Sequence, residues 1–323
     1  MYTQGSTMNI SSIRIMFWGT GGAVTPKSAE QPCIAVKMAD TVFLLDVGER
    51  CQKALECFHL GVNSPLYIFV THLHSDHYSG LIPLLETLSL LGRERALSVY
   101  GPPGLGSVVT GRRTTGYPVS LTELYGWEGI LRFPGLPLTV SYVAAPHSYG
   151  ALSYIIRVED KVKLDEEKLE QEKIPPALRK ELLEKGKVRV GSKEYSLNSF
   201  VKQVVRGVKI SYTGDSLPSH RFASKAMESD VLIHDSTLLK RDWYRKPYMA
   251  HSTVEDAVAV FKATRSRLLV LTHFSAMYRN PAVDLSEAVG EYPRVLIAEK
   301  GLTIDVAFTE PRVFSVRINT DCI

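Results

Sequence analysis

One loop constrains this chain more than any other part of it. In "LYIFVTHLHSDHYSG" an apolar run from Leu66 to Val70 leads into His72, His74, Asp76 and His77, so three imidazoles and a carboxylate leave one strand end within six positions. Alternate residues leaving a strand point the same way, so His72 and His74 converge on one point while Asp76 and His77, in the following turn, face an adjacent one. Imidazole and carboxylate without thiolate are the ligand set of hydrolytic zinc. The same donors also accept manganese or iron.

Two ions need more ligands than one loop supplies. Three further apolar runs end in a potential ligand: "LTVSYVAAP" before His147, "VKISYTG" before Asp215 and "RLLVLT" before His273. As a carboxylate, Asp215 is the natural bridge. Metals about 3.5–4 Å apart clamp both oxygens of a displaced phosphoryl group and generate a nucleophile from water near neutral pH.

Short runs rich in Val, Ile, Leu, Phe and Tyr recur from Ile13–Phe17 to Val295–Ala298 and predict strands. Between them, Leu81, Leu84, Leu85 and Leu88 keep helical spacing, and Thr253–Thr264 carries Val254, Ala257, Val258 and Phe261 on one stripe behind a Ser-Thr cap. The class is α/β. The chain of 323 residues is 45% hydrophobic and 22% charged, ordinary for a globular protein, and its net charge of +4 is compatible with an anionic partner without demanding one.

Several classes fall away. No run of 18 apolar residues crosses a membrane, and the polar "MYTQGSTMNISS" lacks a signal-peptide pattern, which predicts a soluble cytoplasmic protein with a frayed N-terminus and Met8 as an alternative start. Cys33, Cys51, Cys57 and Cys322 have no C-x-x-C spacing, so reduced thiols are expected, with Cys57 on an amphipathic helix in "ERCQKALECFHL". "GTGGAV" has Val24 where a dinucleotide fold needs glycine, and no helix start follows, so no nucleotide cofactor is expected. His220 and His234 fill no gap in the ligand set.

One segment departs from the core pattern. Glu159–Glu172 holds seven acids and three bases, while Lys173–Lys193 holds seven bases and two acids, and "IPPALRKELLEKG" predicts a helix opened by Pro175–Pro176 and closed by Gly186. An arm inserted at about 159–193 into a single domain spanning 1–323 is the expectation.

Taken in order, "THLHSDH", His147, "YTGDS" and "LTHFS" resemble the metal motifs of the metallo-β-lactamase fold. "FWGTGGAVTP", "FLLDVGE", "VYGPPGL", "IHDST", "AHST" and "LTHFSAMY" narrow the resemblance to ribonuclease Z, the endonuclease that removes 3′ trailers from precursor tRNA, over Ile13 to Asp305. The resemblance implies a four-layered αβ/βα sandwich with two mixed β-sheets. It implies two zinc ions, one on His72, His74 and His147, the other on Asp76, His77 and His273, bridged by Asp215. Asp76 would also orient or deprotonate the attacking water, and His251, steered by Asp235, would protonate the departing 3′ oxygen. Trailer removal would leave a 3′-hydroxyl on the tRNA and a 5′-phosphate on the trailer. The arm would grip precursor tRNA, with Arg179, Lys180, Lys185, Lys187 and Arg189 as RNA-binding residues, in a homodimer.

The chain departs from the family pattern at Ser75, where glycine is common, at Asp235, where glutamate is usual, at Ala177–Leu178, where the arm commonly has Gly-Pro, and after Pro26, where Arg-Asn is expected. Two alternatives keep part of this reading: a metallo-hydrolase of small phosphodiesters, sulfate esters, lactones or thioesters, and a non-catalytic RNA-binding protein with structural metals.

Overall fold

The computed structural model describes residues 12–25, 29–109, 115–245, 250–290 and 292–322. The N-terminal segment around Met8 and the loop at Pro26–Ser28 lie outside the described residues.

Two sheets form the body. The first contains β1 (Ser12–Gly19), β2 (Cys33–Met38), β3 (Thr41–Leu45), β4 (Leu66–Phe69), β5 (Leu97–Gly101) and β6 (Val119–Glu123). The second opens with β7 (Glu128–Arg132), β8 (Leu138–Ala144) and β9 (Leu152–Val158). After β9 come four strands of a separate unit, β10 (Lys161–Leu164), β11 (Lys187–Val190), β12 (Lys193–Ser196) and β13 (Val201–Val205). The second sheet resumes with β14 (Lys209–Tyr212), β15 (Val231–Asp235), β16 (Leu268–Thr272) and β17 (Val295–Ile297), and β18 (Leu302–Ala307) and β19 (Phe314–Ile318) return to the first.

The orders are β19-β18-β1-β2-β3-β4-β5-β6 and β17-β16-β15-β14-β9-β8-β7. In each sheet one half is antiparallel and the other parallel: β3 to β6 run parallel, as do β14 to β17. Parallel strands present all their carboxyl ends at one edge, which is where open α/β sheets bind ligands.

Alternation builds the layers. On β3, Phe43 and Leu45 face the second sheet while Val42 and Leu44 face outward under helices, and all four are buried. The inner core stacks Phe43 on Phe69 (centroids 6.1 Å apart) and sets Phe133 edge-on to Phe43 at 5.8 Å, with Tyr154 and Ile156 answering from β9. Helix Leu81–Leu90 covers the outer face of the first sheet with Leu81, Leu84, Leu85 and Leu88. Helix Val254–Thr264 covers the second with Val254, Ala257 and Val258. Each such side chain contributes about 1.5–3 kcal/mol on burial. The result is helix, sheet, sheet, helix.

The charged segment has a core of its own. Leu169, Ile174, Leu182, Val188 and Phe200 pack together, Pro176 starts the helix Pro176–Lys185, and Gly186 ends it at φ 72°. The helix limits follow the Pro and Gly signals. The unit extends beyond Lys193 to Val205, because β13 must return to pair antiparallel with β10 before the chain can re-enter β14.

The cysteines differ from expectation. Cys57 and Cys322 form a disulfide across 265 positions, tying the C-terminal turn to helix Lys53–Cys57, while Cys33 and Cys51 are free and buried. That helix is only one turn long, short of the amphipathic helix its sequence suggests.

Candidate metal centre

Asp46 organises the first loop. It ends β3 in a left-handed conformation (φ 57°) and is fully buried. Its carboxylate accepts the Thr71 backbone N–H at 2.7 Å, the Thr71 hydroxyl at 3.0 Å, the Tyr212 hydroxyl at 2.8 Å and His77 Nδ1–H at 2.8 Å. A buried acid without such partners is strongly disfavoured, and here it has four. Its position in an apolar "FLLDVG" run is the signal that marks it, and the sequence reading passed over it as a ligand-orienting group.

The other rings are aimed in the same manner. His147 Nδ1 lies 2.8 Å from the Ala250 carbonyl, which can only accept, so Nε2 carries the lone pair that faces the cleft. Thr237 gives its hydroxyl proton to Asp235 Oδ1 at 2.6 Å and therefore accepts from His273 Nδ1 at 2.9 Å. Thr71, donating to Asp46, accepts from His72 Nδ1 at 3.1 Å. Fixing the remote nitrogen selects the tautomer and ring orientation a metal ligand needs.

The near donors converge. His72 Nε2 and His147 Nε2 lie 2.9 and 3.1 Å from His74 Nδ1. Asp215 Oδ2 lies 3.6 Å from His72 Nε2, 3.7 Å from His147 Nε2, and 3.3 Å from both His77 Nε2 and His273 Nε2. Asp76 Oδ2 is 3.5 Å from His77 Nε2 and 3.6 Å from His273 Nε2. Ligand bonds of about 2.0–2.1 Å at tetrahedral angles set donors roughly 3.3 Å apart, so these separations suit one ion in each half of the cluster. His72, His74, His147 and Asp215 form one group and Asp76, His77 and His273 another, with Asp215 Oδ2 in contact with both.

The fit to cations has an independent mark. Within the cluster, His77 Nε2, His273 Nε2 and Asp215 Oδ1 are buried atoms with no hydrogen-bond partner. Orphaned polar atoms of that kind are costly unless something else satisfies them. Gly214, at φ 57°, brings Asp215 in over Thr71, whose side chain a Cβ at that position would meet at 2.7 Å.

His251 stands beside this cluster. Its Nδ1 donates to Asp235 Oδ2 at 2.9 Å and lies 3.9 Å from Asp215 Oδ2. The shorter aspartate therefore reaches the imidazole, since Asp235 ends β15 and also accepts the Ser252 backbone N–H at 3.3 Å, next to Thr253, whose capping box with Asp256 pins the start of the following helix. Burial pulls the His251 pKa down, and the Asp235 charge and hydrogen bond outweigh it, raising it to about 9. Asp235 is itself held below the usual carboxylate range, burial raising it and His251 lowering it more.

A cavity of about 290 Å³ opens on this centre, lined by Val24, Thr237, His251, His273, Phe274 and Met277 among others. The larger cavity of about 330 Å³, lined in part by Glu30, Glu299 and Lys300, contains none of the seven candidate metal ligands.

The five arm residues read as RNA-binding are placed on the charged unit. Four are engaged internally: Arg179 with Glu166, Lys180 with Glu184 at 3.7 Å, Lys185 with Glu181 at 2.9 Å and Lys187 with Glu194 at 3.5 Å. Arg189 is exposed on β11.

Comparison with known proteins follows the same lines. A family model described as anti-Pycsar protein Apyc1 matches residues 13–101, the stretch from β1 to β5 that includes the histidine-rich loop. The ribonuclease Z of Saccharolobus solfataricus is 32% identical over 295 residues, covering 89% of this chain and 97% of the relative. The human short-form tRNase Z structure superposes with a TM-score of 0.62 at 21% identity, covering 90% of this chain and 98% of the other. A metallo-β-lactamase fold protein from Bacillus subtilis gives 0.61 at 15% identity, covering 91% and 99%. The fold is the metallo-β-lactamase fold.

Proposed function

The chain belongs to the ribonuclease Z family, and on that premise we propose how it acts as a tRNA 3′-processing endoribonuclease. His72, His74 and His147 would hold one zinc ion, Asp76, His77 and His273 the other, and Asp215 both, with manganese or iron as substitutes the same donors accept. Bound there, the ions supply Lewis-acid charge for the phosphodiester and a nucleophile from water near neutral pH.

The chain's own groups do the rest. Asp76 orients the attacking water and accepts its proton. His251, kept protonated by Asp235, gives its proton to the departing 3′ oxygen, leaving a 3′-hydroxyl on the tRNA and a 5′-phosphate on the trailer. The observation that carries this reading is the placement of a carboxylate-held imidazole 3.9 Å from the shared ligand Asp215, beside an open cavity.

The arm serves binding. β9 begins beside the ligand loop, where Leu152 N–H meets the Thr71 carbonyl at 2.9 Å, and the arm leaves from its other end after Val158. At about 3.3 Å per residue the arm root is roughly 20 Å from the centre. An arm rooted there suits the body of a tRNA more than its cut end, and the arrangement we propose with it is a homodimer in which one subunit's arm holds the tRNA the partner cleaves. No described helix is long and apolar enough to cross a membrane, and a precursor-tRNA substrate supports a cytoplasmic location.

The test is incubation of the purified, zinc-loaded protein with a trailer-bearing precursor tRNA. Cleavage next to the discriminator nucleotide is expected, and an uncut precursor sinks the reading. Deleting the arm separates this substrate from small ones: tRNA cleavage is lost while a chromogenic phosphodiester is still hydrolysed.

A further inference from the structure

Four neighbouring strands carry a line of cations at the foot of the arm. Arg132 on β7 is directly opposite Thr139 on β8, Thr139 is opposite Arg157 on β9, and Arg157 is opposite Lys209 on β14. Directly opposed residues share a face. It is the outer face, because the alternating neighbours Leu131, Leu138, Ile156 and Ile210 all turn into the core between the sheets. At about 4.8 Å per strand the line is roughly 14 Å long.

This arrangement costs stability. Like charges directly opposed across an antiparallel pair repel, and Arg157 faces Lys209 in that register. Burial lowers the Lys209 pKa, and Arg157 and Arg206 lower it further.

The charges of Glu228 and Asp230 offset this only in part, since the Lys209 pKa stays lowered, and the Lys209 ammonium donates to the Met227 carbonyl at 2.6 Å and not to a carboxylate. Asp230 is taken by Arg312 Nε at 2.9 Å, Arg267 Nε at 3.4 Å and the Lys209 backbone N–H at 2.9 Å. Glu228 pairs with Arg206 at 3.4 Å, and Asp160 accepts the Gly207 N–H at 2.9 Å. Among the described residues no carboxylate oxygen lies within 4.0 Å of a side-chain nitrogen of Arg132, Arg157 or Lys209. The contrast with the arm is direct, since there Lys180, Lys185 and Lys187 each have a glutamate partner.

We propose that this line is a docking strip for the sugar-phosphate backbone of precursor tRNA, a contact distinct from the arm and from the metal centre. The inference rests on the reading of the chain as a tRNA-processing enzyme. A row of cations without a direct carboxylate partner is matched by a row of phosphates, whose binding relieves the repulsion between Arg157 and Lys209. Phosphate contacts position an RNA duplex without reading its sequence. The strip crosses β14 at Lys209, the end of the strand away from Asp215, so it takes the body of the tRNA.

The test uses the full-length, metal-loaded enzyme, with Arg132→Gln/Arg157→Gln and, separately, Arg157→Glu. Steady-state kinetics are measured with precursor tRNA across a potassium chloride series, and with a chromogenic phosphodiester. For the double variant the expected result is a KM for tRNA at least about tenfold higher, kcat and the small-substrate rate unchanged, and a salt slope shallower by about two, near one per lost phosphate contact. Arg157→Glu removes the repulsion with Lys209, so its melting temperature is expected to equal or exceed that of the wild type while its KM for tRNA rises. A purely structural role would move stability and affinity in the same direction and lower both substrates' rates, and that outcome overturns the proposal. A wild type that cleaves tRNA, with variants matching it in KM and salt slope, overturns the strip alone; a wild type that leaves the precursor uncut overturns the functional reading and this inference with it.

Discussion

Asp235 and His251 are joined at 2.9 Å by one carboxylate oxygen, while the other oxygen of Asp235 receives the Thr237 hydroxyl, which in turn accepts from the metal-type ligand His273. One buried aspartate thus sets the orientation of both His251 and His273. Asp235→Asn keeps the shape and removes the charge that holds His251 protonated. Loss of a positioned acid costs about 10²–10⁴-fold in kcat, and a drop within that range is expected with metal content near that of the wild type. Elemental analysis alongside kcat checks it; full activity in the variant would remove His251 from the chemistry.

Asp46 acts one step behind the ligands. Asp46→Ala releases His77 Nδ1 and leaves the Thr71 N–H and Tyr212 hydroxyl unsatisfied in a fully buried site. Removing such an orienting partner typically weakens metal affinity about 10–100-fold. Each donor left unpaired costs a further 1–3 kcal/mol or so of stability. Competition with a metallochromic indicator and thermal melting of the metal-free protein measure the two effects separately, and unchanged metal affinity would place Asp46 outside the site.

The candidate ligands stand out in the sequence for a physical reason: each is a polar side chain at the end of an apolar run, where burial pattern and chemistry conflict unless something binds there. Asp46 satisfies that description equally well, yet it stands alone, and one buried aspartate does not disclose its partners. β6 and β7 leave little mark in the sequence, because "VSLTE" and "EGILR" are half-exposed edge strands whose apolar content is too low for a hydrophobic run. The arm was read to Lys193, where the charge run stops, whereas pairing of β10 with β13 carries it to Val205; composition does not encode that closure.

The disulfide shows the same limit from the other side. Four cysteines allow six single bridges and three fully paired connectivities, and spacing does not choose among them. The fold does, by bringing the C-terminal turn against helix Lys53–Cys57, where Asn319 Nδ2 also donates to the Cys57 carbonyl at 2.9 Å. Two titratable thiols, those of Cys33 and Cys51, are expected in unfolded, unreduced protein, and four after reduction. Cys322→Ser is expected to cost about 2–5 kcal/mol of unfolding free energy. Four thiols before reduction would show that the bridge does not form in solution.

Arg312 closes the arm root against the body. Its side chain is 1% exposed; Nε meets Asp230 at 2.9 Å, and the two terminal nitrogens reach the Ala307 carbonyl at 2.9 Å and the Gly207 carbonyl at 2.8 Å. One guanidinium therefore joins the chain after β18, the start of β15 and the strand returning from the arm. Gly207 has no room for a side chain there, since a Cβ would lie 2.0 Å from the Val158 carbonyl oxygen. Breaking a buried pair by removing one partner costs about 3–5 kcal/mol, because the remaining charge is stranded. Arg267 stays within 3.4 Å of Asp230 and compensates in part, so Arg312→Met is expected near the lower end of that range. Adding Asp230→Asn removes the stranded charge while its side-chain oxygen can still accept the Lys209 N–H, so the double variant should be more stable than Arg312→Met alone. Denaturant unfolding of the three proteins at neutral pH tests the order. A double variant less stable than the single would mean that the contacts made by Asp230, and not the desolvated charge, govern this corner of the fold.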